Sequence, residues 1–167
     1  YEDQLPLHVY YQSQQFSQTS IRATPMPHSC LAAGTPVWTE FGPVPVQDVR
    51  VGDRVFACDP ETGSLDLKPV VKTTVRPKAG ALRMHVGGET ISATAGHVFW
   101  AAGLGWKKTA DLQPERRLHT IQGTVDVDSV EPAGEEPVFN LVVADAHTYF
   151  VGPAKILTHD ITIRTST

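Results

Sequence analysis

The chain has 167 residues, 41% of them apolar and 19% charged, with a formal net charge of −4. That balance excludes a disordered or fibrous chain and leaves enough length for one domain with a sizeable core. A mildly acidic chain without a basic stripe is not expected to bind nucleic acid, and one without a long apolar run is not expected to span a membrane.

Residues 1–29 read as a flank. Gln, Ser and Thr crowd Tyr11-Gln-Ser-Gln-Gln-Phe-Ser-Gln-Thr-Ser20, an extended piece is expected near Leu7–Tyr11, and Pro25 and Pro27 come late. The expected domain runs over residues 30–160, and residues 161–167 form a C-terminal flank. From Cys30 onward the signals are strand-like. Val44–Val46 and Arg54–Cys58 are short β-prone runs, and Asp59-Pro-Glu-Thr-Gly63 is a turn in which Pro presets φ and Gly accepts a positive φ. Val70–Val75 is β-branched, and Leu82–Val86 alternates into Gly87-Gly88, a hairpin signal. Strands are further expected at Thr90–Thr94, His97–Ala101, Arg117–Ile121, Thr124–Val130, Val138–Val143, Thr148–Val151 and Ile156–Thr158. No stretch repeats apolar residues at helical spacing for three turns, and the nearest helix candidate is a single turn at Thr109–Leu112. The expected fold class is all-β, in many short pieces, without a repeat of fixed period. No basic-then-apolar leader marks a compartment.

Cys30 and Cys58 are the two cysteines, so a disulfide framework is excluded. Cys58, in an expected strand, reads as a small buried apolar residue. Cys30 sits at the flank–domain junction, where a thiol is either structural or a nucleophile towards the carbonyl of Ser29. An N-to-S acyl shift turns an amide into a thioester. The shift is uphill unless the amide is strained or its leaving amine is protonated, so it needs a thiol base, a proton donor and a group that holds the peptide. Thr94-Ala-Gly-His97 offers a hydroxyl and an imidazole on one tight turn. At the other end, Asp160 could attack its own carbonyl through a cyclic anhydride, with His147 and His159 as proton donors to the departing amine of Ile161. Cys-x-x-Cys and His-x-x-x-His spacings are absent, so no metal or other cofactor is expected, although Cys30, His97 and His159 could trap an inhibitory zinc ion.

In order and spacing these segments resemble the Hint superfamily of inteins, hedgehog autoprocessing domains and bacterial intein-like or pretoxin domains. Cys30-Leu-Ala-Ala-Gly-Thr-Pro-Val37 is similar to the first splicing block, and Val51-Gly-Asp-Arg-Val55 to the segment that follows it. Thr94-Ala-Gly-His97, with Trp106 and Ala110-Asp-Leu112, resembles the second block. Val138–Gly152 and Ile156-Leu-Thr-His159-Asp160 resemble the two C-terminal blocks. The resemblance implies a compact, horseshoe-like β fold with pseudo-twofold halves that brings both domain ends to one centre. By position, it makes Cys30 the nucleophile, has Thr94 and His97 activate the Ser29–Cys30 amide, and has His147 and His159 assist cleavage after Asp160. Asp160 stands where the family most often has Asn, and Ile161 where a splicing intein has Cys, Ser or Thr. Asn140 occupies a position where many inteins carry a catalytic Asp. Asp145 either orients His147 or is a solvated loop carboxylate.

The expectation is therefore autocatalytic, single-turnover self-cleavage without ligation. The partners are the chain's own flanks, with water or an external thiol as acyl acceptor, in a monomer. The alternative is a catalytically silent β-domain that links or presents segments of a larger bacterial secreted, surface or toxin-type protein.

Overall fold

The computed structural model describes residues 30–160, so the extended piece expected at Leu7–Tyr11 lies outside the described residues. In chain order the strands are β1 (Leu31–Ala32), β2 (Pro36–Thr39), β3 (Gly42–Pro45), β4 (Arg54–Asp59), β5 (Ser64–Val86) and β6 (Glu89–Ala93). They continue as β7 (Val98–Ala101), β8 (Gly105–Lys108), β9 (Arg117–His119), β10 (Thr124–Val143), β11 (Thr148–Val151) and β12 (Ile156–His159). The helical content among the described residues is two single 3-10 turns, Val46–Asp48 and Thr109–Asp111. The second is the turn expected at Thr109–Leu112, and the chain is all-β as read.

Strand length departs from expectation. Val70–Val75 and Leu82–Val86 belong to one 23-residue strand, β5, and Thr124–Val130 and Val138–Val143 to the 20-residue β10. The two pair antiparallel from Val86↔Val127 to Val70↔Val143. Gly80, Pro132 and Gly134 do not interrupt the ladder, because register shifts between Pro132 and Gly134 and between Glu136 and Val138 absorb the misfit. The Gly87-Gly88 hairpin forms with Val86 opposite Glu89 and φ of 55° and 84° at its two glycines. The Asp59 turn closes through Gly63 N–H to the Asp59 carbonyl at 2.7 Å. Asp53 fixes its turn, with Oδ2 accepting from Arg50 N–H at 2.9 Å.

The chain is built twice over. A hairpin, a 3-10 turn, a short strand and a long strand appear as β2–β3, Val46–Asp48, β4, β5 and again as β7–β8, Thr109–Asp111, β9, β10. Thr39 pairs with Val55 in the first half, and Ala101 with Leu118 in the second. Both copies share a backbone clasp: Gly52 N–H to Val70 O with Val70 N–H to Asp53 O, matched by Glu115 N–H to Val127 O with Val127 N–H to Arg116 O, each at 2.8 Å. The matched residues Val37 and Phe99, Val55 and Leu118, and Val70 and Val127 are all buried in one core with Leu31, Leu141 and Ile156. Such burial is the main favourable term in the fold. The last strands tie the halves together, β11 pairing with β2 at Val151↔Val37 and β12 with β7 at Thr158↔Phe99.

The repeat exposes a strained position. Gly52 has φ of 98°, and its counterpart Glu115 holds φ of 73°, where an L side chain crowds its own backbone. Glu115 is exposed, so its side chain can be removed without opening a cavity. Glu115→Gly should therefore raise stability by up to about 1 kcal/mol, relief of strain outweighing the added freedom of the unfolded chain. Urea unfolding checks this, and a loss of stability would contradict it.

Candidate active site

β1 lies between β10 and β6, with Leu31 opposite both Phe139 and Ala93. One residue earlier, the same registers set Cys30 beside Asn140 and Thr94. The Cys30 N–H, which belongs to the Ser29–Cys30 amide, donates to Thr94 Oγ1 at 3.1 Å, and Thr94 N–H donates back to the Cys30 carbonyl at 2.9 Å. Thr94 thus grips Cys30 on both sides of its α-carbon and meets the Ser29–Cys30 amide through its N–H. His97 follows on a turn closed by His97 N–H to the Thr94 carbonyl at 3.0 Å, and it is fully buried against Phe99. Its Nε2 lies 2.6 Å from Thr158 Oγ1 on β12. The Cys30 side chain packs with Ala79 and Val138. Burial pushes its thiol pKa up, and the nearby Arg76 charge pulls it down.

The other end of the domain arrives at the same place. Asn140 Nδ2 donates to the Asp160 carbonyl oxygen at 2.7 Å, and Tyr149 Oη donates to Asn140 Oδ1 at 3.0 Å. A carbonyl can only accept, so the amide nitrogen must face residue 160 and the tyrosine hydroxyl must donate. Tyr149 is fully buried. Burial first, then the charges of Asp160 and Cys30, keep its hydroxyl protonated far above the ordinary range. Asn140 also lines an open cleft of about 220 Å³ with Thr73, Thr74 and Phe139.

Asp160 is almost completely buried. Its Oδ2 accepts from Val143 N–H at 2.7 Å and lies 3.0 Å from His147 Nδ1, while Oδ1 makes no hydrogen bond among the described residues. Burial raises the carboxyl pKa, against the lowering effect of His147 and of the Val143 N–H. His147 has φ of 58°, a left-handed backbone held by Asp160 N–H donating to its carbonyl at 2.9 Å. His159 is fully buried edge-on against Trp106, ring centroids 5.0 Å apart, with Nδ1 3.8 Å from Asp160 Oδ1.

Of the residues singled out in the sequence, Cys30 and Thr94 are in direct contact, and Asn140, His147 and His159 all face Asp160. Asp145 does not join them. Its carboxylate is three-quarters exposed and pairs with Lys68 at 3.3 Å, because a left-handed backbone at φ 63° turns it outward. It is the solvated loop residue, not the support of His147. Among the described residues no three His, Cys, Asp or Glu side chains are grouped to hold a metal ion, so Cys30, His97 and His159 do not form the zinc trap considered above. Ser29 and Ile161 lie outside the described residues. Cys58 is buried and free, its backbone N–H bonded to Thr148 Oγ1 at 2.9 Å.

Sequence reasoning passed over Tyr149 and Thr158. Each lay inside a segment read as strand, where a hydroxyl among β-formers carries no mark of its partner. Arg76 was equally unmarked.

Residues 37–166 match the family model described as "Pretoxin HINT domain", a match that begins after Cys30. Among solved structures, the bacterial intein-like domain from Clostridium thermocellum is similar at 32% identity with a TM-score of 0.75, over 78% of this chain and 98% of that one. The DnaB intein from Synechocystis sp. PCC 6803 matches at 21% identity and a TM-score of 0.69, over 78% of this chain and 97% of that one. The Msm DnaB1 intein splicing domain, solved bound with zinc, matches at 26% identity and a TM-score of 0.64, over 77% and 98%. No curated protein matches. The horseshoe-like Hint fold expected from the sequence is the fold of this chain.

Proposed function

The chain belongs to the pretoxin Hint domain family, whose intein-like relatives are self-processing domains, and we propose that it cuts its own backbone at Ser29–Cys30 and, separately, after Asp160, without joining the flanks. The observation that carries this reading is that the amide nitrogen of Cys30 and the carbonyl of Asp160 are each gripped by a side chain, Thr94 and Asn140, within one site.

In the first reaction Cys30 Sγ gives its proton to water and attacks the Ser29 carbonyl carbon. The C–N bond breaks, the amine of Cys30 takes a proton from His97, and a thioester joins Ser29 to Sγ. Water or an external thiol then opens it and releases residues 1–29. The buried, raised thiol makes this step slow at neutral pH. In the second reaction Asp160 Oδ1 attacks the carbon of its own carbonyl, whose oxygen takes up negative charge against the Asn140 amide. The bond to Ile161 breaks, the amine leaves with a proton from His147 or His159, and water opens the five-membered anhydride. Ile161 supplies no hydroxyl or thiol to accept the acyl group, so the fragments part.

The second reaction needs an ionised Asp160 and a protonated imidazole. Its rate should rise as pH climbs through the raised carboxyl pKa and be lower at alkaline pH, where a proton for the leaving amine is scarce. Mass spectrometry of the products across a pH series tests this. A C-terminal fragment released equally fast at alkaline pH would contradict it.

A further inference from the structure

Thr158 Oγ1 lies 2.6 Å from the Val98 carbonyl oxygen and 2.6 Å from His97 Nε2, and all three groups belong to buried residues. A carbonyl carries no hydrogen, so two oxygens at that distance require the threonine proton between them. The hydroxyl has one proton. With that proton committed to Val98, its oxygen can only accept from the imidazole, and Nε2 must carry a hydrogen. This holds whether the ring is neutral or charged.

We infer that Thr158 is a positioning residue that fixes the hydrogen on His97 Nε2 and leaves Nδ1 as the one ring nitrogen that exchanges its proton during cleavage at Ser29–Cys30. The inference rests on the N-terminal reaction proposed above. An imidazole free to flip or change tautomer would present the wrong nitrogen to the leaving amine for part of the time. A methyl in place of the hydroxyl would also leave the Val98 carbonyl and Nε2 without this partner in a buried site. Thr158 lies on β12 opposite Phe99 of β7, two residues before Asp160. The strand that ends at the C-terminal cut therefore also sets the acid for the N-terminal one, and the N-terminal reaction is ready only when β12 is docked.

The test has two arms. Long-range ¹H–¹⁵N spectra of the Cys30→Ala precursor report the His97 tautomer directly and need no change at Thr158. The Nε2–H form is expected, and an Nδ1–H form would overturn the inference. In the second arm, N-terminal cleavage is timed in the parent, Thr158→Val and Thr158→Ser. The valine variant should cut about tenfold to a hundredfold more slowly, within the range attributed to a placed acid or base, and the serine variant should restore most of the rate. Equal rates in the parent and Thr158→Val would overturn it. A valine variant that fails to fold leaves the spectrum of the unaltered site to decide. A parent that never releases residues 1–29 overturns the cleavage reading, while the ¹⁵N spectrum still decides where the His97 proton sits.

Discussion

Cys30→Ala is expected to abolish release of residues 1–29, with no residual product over days, and to leave the domain folded. The expectation follows because the chain's other thiol lies elsewhere in the fold. The other cysteine, Cys58, is buried in β4, bonded through its backbone to Thr148 in β11. The side chain of Cys30 touches a small cluster of Ala79 and Val138 rather than the main core, so losing the sulfur removes little apolar contact, worth about 1 kcal/mol. Thr94→Ala should slow the same cut by about a hundredfold without abolishing it, because it removes the acceptor of the Cys30 N–H and leaves the thiol. Gel mobility after incubation with a thiol reads both variants. Undiminished N-terminal cleavage in Cys30→Ala would remove Cys30 from its role.

Asp160→Asn should accelerate C-terminal cutting by at least about tenfold. Val143 N–H can only donate, so it will orient the introduced amide with its oxygen where Oδ2 now sits and its nitrogen where Oδ1 now sits. That is the atom free to attack the neighbouring carbonyl, giving a succinimide instead of an anhydride. The amide is uncharged, so it escapes the desolvation that raises the Asp160 pKa, and the acidic limb of the pH profile should vanish. The same substitution should alter stability. A carboxyl whose folded pKa is raised favours the folded state at pH below its unfolded pKa, and that advantage is lost as pH rises through the folded value. Urea unfolding of Cys30→Ala alone and combined with Asp160→Asn, from acid to neutral pH, should show the parent losing ground at the neutral end. Slower C-terminal cutting in the Asn variant would contradict the proposed geometry.

Much of this was readable before any coordinates. The β-branched runs, the Gly87-Gly88 hairpin and the Asp59–Gly63 turn are local features, and local chemistry decided them. The merging of four expected strands into β5 and β10 was not local. Gly80 and Gly134 look like breaks until a long-range partner supplies the ladder and bulges absorb the misfit. The internal duplication left a trace in Ala33-Gly34-Thr35-Pro36-Val37-Trp38 and Ala95-Gly96-His97-Val98-Phe99-Trp100, which lie 62 positions apart. It escaped a search for a fixed period because the spacing becomes 63 by Val55 and Leu118, and because chemistry diverged between the halves. The counterparts of Thr94 and His97 are Ala32 and Thr35, so both halves keep the shape and one carries the Thr-His pair.

At the site, the chemically conspicuous residues were singled out from the sequence together with Thr94 and Asn140, whereas Tyr149, Thr158 and Arg76 were not. A cysteine or histidine announces a reaction, whereas Tyr149 and Thr158 acquire meaning only from Asn140 and His97, which the fold brings to them across the sheet. Asp145 shows the converse. Two residues before His147 it offered two readings, a support and the favoured one of a solvated loop carboxylate, and its left-handed backbone aims it at solvent and Lys68.

The central claim is that Cys30 carries the acyl group of Ser29 as a thioester. An intact-mass time course of the full chain, incubated with and without a small external thiol, tests it most directly. The account predicts that residues 1–29 appear as a thiol adduct in the first case and as the free acid in the second, with faster release when thiol is present. A single unchanged mass, or identical hydrolysed products at identical rates in both, would contradict it.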